Sequence, residues 1–124
     1  MIEIEVENRS GLDVDEDGAA DHARRVLAAE GIDGGEVGIA FVGPDESRAL
    51  KRHHLGIDEA ADVLSFPIDG TASVAEGIPR MLGDVVLCPQ VVGAEWRSPL
   101  VHGLLHLLGY DHGDEMEARE ESLR

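Results

Sequence analysis

The sequence predicts an α/β (α+β) domain, a small mixed sheet of four strands with four to five helices and a metal-binding helix near the C-terminus. Three observations predict it. Four short runs rich in Val, Ile and Leu are spaced along the chain and separated by stretches of helical period, the mixed order of a layered domain. A length of 124 residues suits one hydrophobic core and no more, so residues 1–124 are read as a single domain. Near the end, "VHGLLHLLGYDH" sets three of the six histidines on and just beyond one short apolar helix.

Taken in order, residues 2–7 alternate Ile2, Ile4 and Val6 with Glu3, Glu5 and Glu7, the period of a half-exposed strand. "NRSGLDVDEDG" then reads as a turn, and Ala19, Ala23, Val26 and Leu27 recur at helical spacing up to Gly31, a C-cap glycine. "EVGIAFVG" (36–43) is a near-continuous apolar run, the mark of a buried strand. "PDESRALKRHHLG" opens on proline and acids and closes on bases and glycine, so it reads as a helix with dipole-matched ends. "DVLSFP" (62–67) and "DVVLC" (84–88) are two more strands, with "IDGTASVAEGIPRML" a polar loop between them. Ser98 is a fitting N-cap and Pro99 a fitting first residue for a helix from Pro99 to Leu108, closed by Gly109. The acidic tail 113–124 reads as one more surface helix, with Met116 and Leu123 as its apolar contacts.

Composition narrows the function classes. Twenty-six acidic residues against ten basic ones give a net charge of −16, which argues against a protein that coats nucleic acid through a basic face. It leaves room for a nucleic-acid enzyme whose local positive charge comes from a metal ion. No apolar run approaches the roughly 18 residues of a membrane span, and the acidic N-terminus reads as a strand and not a signal peptide. The single cysteine, Cys88, excludes an internal disulfide, suits the cytoplasm, and is read as a small buried hydrophobe.

On a helix, His102 and His106 lie one turn apart on one face. Gly109 lets the chain leave the helix sharply, and "GYD" brings His112 round from a third direction. Three nitrogens with a fourth position open for water is the arrangement of catalytic zinc, whereas structural sites close with four ligands. The spacing H-x-x-x-H-x-x-G-x-x-H matches the metzincin metalloprotease pattern in its ligands and its glycine. The residue after the first histidine is glutamate there and acts as the general base; here it is Gly103, so a metallopeptidase lacks its base. A non-catalytic, metal-stabilised assembly factor would close the site with a fourth ligand from Asp111, Asp114, His53 or His54.

With "HGLLHLLGYDH" (102–112), "DVLSFP" (62–67), "MLGDVVLC" (81–88) and the opening "VENRSG" (6–11) in this order, the sequence resembles the YbeY family, single-domain metal-dependent endoribonucleases of bacterial ribosomal RNA maturation. The resemblance implies one Zn²⁺ per chain on His102, His106 and His112 and cleavage of single-stranded rRNA. It also implies a cytoplasmic role in small-subunit rRNA 3′-end maturation and ribosome quality control. A ribosomal protein or a ribosome-associated GTPase is the partner it would allow. Many family members carry an asparagine and an arginine in the helix before "DVLSFP" and a threonine directly ahead of it; here those positions are Lys51, Leu55 and Ala61. The chain between Pro89 and Val101 is also shorter than is usual in the family, which implies a clipped helix before the metal site.

For the reaction, the metal-bound water is the expected nucleophile and no side chain stands out as general base. Asp111, next to a ligand, is read first as a group that orients a histidine. Arg48, Lys51 and Arg52, with His53 and His54, are the candidates for RNA contact, against the alternative of a solvated helix end whose bases match the dipole. Ser65 is a candidate phosphate donor or a hydroxyl that satisfies a strand edge.

Overall fold

The computed structural model describes residues 2–70, 77–93 and 95–123. The chain runs β1 (Ile2–Asn8), α1 (Glu16–Ala29), β2 (Gly35–Phe41), α2 (Pro44–Leu55), β3 (Val63–Pro67), β4 (Met81–Leu87), α3 (Pro89–Val92), α4 (Arg97–Leu107) and α5 (Asp114–Leu123). The strands form one mixed sheet in the order β1-β2-β4-β3. β1, β2 and β4 run parallel, and β3 pairs antiparallel with β4 at the edge.

The alternation in β1 carries directly into structure, with Ile2 and the half-buried Ile4 and Val6 packed into the core. That core lies between one face of the sheet and helices α1 and α4, where Ala19, Ala23, Val26 and Leu27 meet Val37, Ile39, Val85 and Leu87. A smaller cluster of Val42, Ala61, Leu64 and Val86 sits on the opposite face beneath α2. Ser47 of α2 ties that face to the approach to β3: its hydroxyl donates to the Ala61 carbonyl at 2.8 Å and accepts from the Ala61 N–H at 2.9 Å. Cys88 is buried, as a small hydrophobe would be.

Several boundaries move. α1 begins at Glu16 because the Asp15 carboxylate accepts from the Gly18 N–H at 2.9 Å, so part of the expected turn is the first turn of the helix. β4 begins at Met81, three residues before the expected start, because its register against β2 shifts between Glu36 and Val37 and so breaks the run that a pattern search follows. Residues 71–76 of the expected loop lie outside the described residues. α4 begins at Arg97 with Trp96 as its N-cap, and Ser98 makes no capping hydrogen bond. Trp96 is buried edge-on against Phe41, with ring centroids 5.8 Å apart, and this packing starts the helix early. Pro99 still falls in the first turn, where a missing N–H has no helical partner to lose. Ahead of the metal site, α3 is a single turn.

Candidate metal centre

The histidine motif is built by the end of α4. Gly109 adopts φ +97°, and the Gly109 and Tyr110 N–H groups bond the carbonyls of His106 and Leu105, both at 3.1 Å. This is a Schellman closure, which satisfies the last carbonyls of the helix and turns the chain back on itself. The turn places the Tyr110 carbonyl where His106 Nδ1–H donates to it at 2.9 Å. His106 Nε2 is thereby left with a free lone pair, 3.1 Å from His102 Nε2. His112 closes the group, its ring centroid 4.7 Å from His106 and 5.0 Å from His102.

One ligand atom from each of the three histidines lies within 4.8 Å of the others, an arrangement that could hold a metal ion. Tetrahedral coordination at bond lengths of about 2.1 Å sets ligand nitrogens about 3.4 Å apart, close to the His102–His106 spacing. Burial is the main cause that holds His106 below the usual imidazole range, with His102 adding to it, so its ring is in the neutral, coordinating form at pH 7. Among the described residues no fourth candidate ligand joins the group: Asp111 and Asp114 are exposed and lie outside it.

Nδ1 of His102 is held from another direction, by the carboxylate of Glu120 on α5. A carboxylate on the far nitrogen of a metal-binding histidine fixes both tautomer and ring orientation. Sequence reasoning gave that place to Asp111, which is exposed and makes no hydrogen bond among the described residues. Glu120 was missed, although it sits one turn beyond Met116, the buried anchor of α5, and therefore shares its inward face.

Gly103 answers why a glycine follows the first ligand. It lies on the face of α4 that presses on the sheet, and a Cβ there would stand 2.7 Å from Val85 Cγ1, 3.1 Å from Val63 Cγ2 and 3.1 Å from Ser65 Oγ. A glutamate at this position would be driven into the core and not toward the metal. The absence of the peptidase base is therefore a packing requirement of the fold.

Beside the histidines runs a cleft of about 640 Å³, walled on one side by residues 62–67 and on the other by Ser98, Pro99, the three histidines and Glu120. Of the candidate RNA contacts, Ser65 lines it, and its hydroxyl donates to the Gly103 carbonyl at 3.0 Å. His54 also lines it, its ring tilted 57° against Phe66 with centroids 4.7 Å apart. Arg48 does not: both arms of its guanidinium grip Asp58, at 2.7 and 3.0 Å. Lys51 pairs with Glu59 at 2.8 Å, and Arg52 is exposed outside the cleft. Leu55 lines the cleft at 59% exposure. Among the described residues, then, the cleft has no lysine or arginine on its walls.

A family model described as Endoribonuclease YbeY matches residues 3–123. Endoribonuclease YbeY of Salinispora tropica is 37% identical over 139 aligned positions, covering 96% of this chain and 88% of that protein. The protein of the same name from Halorhodospira halophila is 43% identical over 96 positions, covering 68% of this chain and 62% of its own length. Among solved structures, the solution structure of a Thermotoga maritima protein superimposes with a TM-score of 0.58 at 21% identity, over 97% of this chain and 85% of that one, a likeness of fold.

Proposed function

The chain belongs to the YbeY endoribonuclease family, and from that premise we propose that it is a zinc-dependent endoribonuclease whose metal is held by His102, His106 and His112. One observation carries the reading. Three imidazole nitrogens converge at the head of an open cleft, and the far nitrogens of two rings are already anchored, one on the Tyr110 carbonyl and one on Glu120. Such a donor set suits zinc by ligand type and by its tetrahedral option. A bound divalent metal supplies an activated water and stabilises charge on phosphoryl oxygens. The protein's part is to hold the three rings oriented and to seat one RNA strand along the cleft.

The proposed substrate is single-stranded rRNA of the small subunit, at the 3′ end, with a role in ribosome quality control in the cytoplasm. Among the described residues no helix is long and apolar enough to cross a membrane. A net charge of −16 weakens the capture of free RNA, and a partner at the ribosome, a ribosomal protein or a ribosome-associated GTPase, strengthens delivery.

The test uses untagged protein, metal analysis and small-subunit rRNA fragments, single-stranded and structured, alongside His106→Ala. The expected result is about one zinc per chain and cleavage that disappears with the variant. A protein that binds no metal, or a His106→Ala protein that cuts as well as its parent, refutes the reading. A 2′,3′-cyclic phosphate on the product would assign the attack to the ribose 2′-OH.

A further inference from the structure

We propose that the backbone N–H of Ser65 is a phosphate-oxygen donor of the cleft; the proposal rests on the endoribonuclease reading for the identity of the substrate. The ladder between β3 and β4 sets which amides face it. Cys88 N–H bonds the Asp62 carbonyl at 3.1 Å and Ile68 N–H bonds the Leu82 carbonyl at 3.2 Å. With an antiparallel register of Val63 on Leu87 through Pro67 on Gly83, residues 62, 64, 66 and 68 turn their N–H and C=O groups toward β4. Residues 63, 65 and 67 turn theirs the other way, and β3 is the last strand in the sheet order, so these groups face the cleft.

Two of those three positions offer no donor. Val63 N–H is taken by the Asp62 carboxylate at 2.8 Å, and Pro67 has no N–H. Such devices blunt a sheet edge against pairing with another strand. An extended peptide laid along β3 would find one amide where a ladder needs three, which turns this edge away from peptide substrates. Ser65 N–H remains without an acceptor among the described residues, on the wall of the cleft that also holds the histidines.

Charge makes that single donor matter. RNA-binding clefts ordinarily meet phosphates with Lys or Arg. Here the lining side chains include the acids Asp62 and Glu120 and no lysine or arginine among the described residues, while Arg48 and Lys51 are paired elsewhere. The Ser65 hydroxyl is spent on the Gly103 carbonyl, so the residue offers its amide and not its side chain. A phosphate beside the metal centre is therefore met by neutral donors, and a backbone amide held in a sheet is fixed in place before substrate arrives.

The experiment is a titration of the zinc-loaded, ¹⁵N-labelled protein with inorganic phosphate, followed by amide chemical shifts. In parallel, RNA cleavage is compared between Ser65→Ala and the same chain with lactic acid at position 65, which replaces that one amide by an ester. The Ser65 amide proton is expected to move downfield more than those of Leu64 and Phe66, whose amides bond β4. The ester is expected to cut RNA about 10²-fold more slowly than Ser65→Ala at equal zinc content, the usual loss for one such donor. An unmoved Ser65 amide overturns the assignment whether or not the protein cuts RNA, as does an ester that matches Ser65→Ala. A Ser65 shift in a protein that cuts RNA neither alone nor on the small ribosomal subunit upholds the phosphate site and retires the endoribonuclease reading.

Discussion

Gly103→Ala sets two effects of opposite sign against each other, and the structure decides between them. Alanine favours a helix interior over glycine by about 1 kcal/mol, so on propensity alone the variant would be more stable. The added Cβ, however, would stand 2.7 Å from Val85 Cγ1, inside the closest approach that carbon atoms tolerate, with Val63 and Ser65 at 3.1 Å. Val85 is fully buried and β-branched, so it has no rotamer to retreat into, and α4 must lift from the sheet. Overpacking of this kind costs about 1–3 kcal/mol. The balance is a loss of about 1 kcal/mol, or a fall in Tm of about 4 °C for a chain of this length. Because His102 is the preceding residue and Ser65 bonds the Gly103 carbonyl, the lift also displaces one ligand, and zinc affinity should fall with stability. Thermal melting of the metal-free protein and a chelator competition for zinc read the two effects separately. A Tm that rises by several degrees with unchanged zinc affinity would refute the account, since α4 would then stand clear of the sheet.

Three further outcomes follow from contacts elsewhere in the chain. Glu120→Ala should weaken zinc binding about 10- to 100-fold by freeing the His102 ring, and Glu120→Gln, which retains an acceptor, should recover part of the loss; competition with a chromophoric chelator measures both. Ser47 is 2% exposed and satisfies both backbone groups of Ala61, so Ser47→Ala should cost about 2 kcal/mol in urea denaturation and loosen the approach to β3 without changing metal stoichiometry. His22 is buried, and its ring is held below the ordinary value of 6.5 first by burial and then by Arg25 and Arg97. The unfolded chain therefore takes up that proton first as pH falls, and the stability present above about pH 6.5 is lost below it by up to about 1.4 kcal/mol per unit. His22→Leu should flatten that slope in the metal-free protein, as measured by denaturant titrations at pH 5.5 and 7.5.

The acidity of the chain takes a particular form in the fold. Glu3, Glu5 and Glu36 border a small pocket with Asp84 on the sheet, while Arg48 and Lys51 of α2 are drawn into pairs with Asp58 and Glu59. Replacing those two cations by mutation should change RNA cleavage little, because they do not line the cleft.

By itself the sequence determined what depends on spacing along a single element. The period of two in Ile2, Ile4 and Val6 placed β1, the dipole-matched ends placed α2, and an i, i+4 pair followed by Gly-Tyr-Asp brought the three histidines together. In each case the deciding interactions run within a few residues, as the Schellman closure at Gly109 does. Tertiary structure alone decided what depends on which faces meet. Glu120, one of six acids between 111 and 121, became the partner of His102 because Met116 anchors α5 with that face inward. Gly103 was legible as a missing base, but the reason it must be glycine is Val85, a residue on another strand. Arg48, Lys51 and Arg52 carried the charge expected of an RNA site, yet Asp58 and Glu59 hold the first two outside the cleft, and a charge pattern does not record its partners. The edge position of β3, which turns the Ser65 amide toward the cleft, is a property of the sheet order β1-β2-β4-β3. Strand order arises from long-range pairing, where the cost of closing a loop is set against burial across the whole core, and no local window contains that balance.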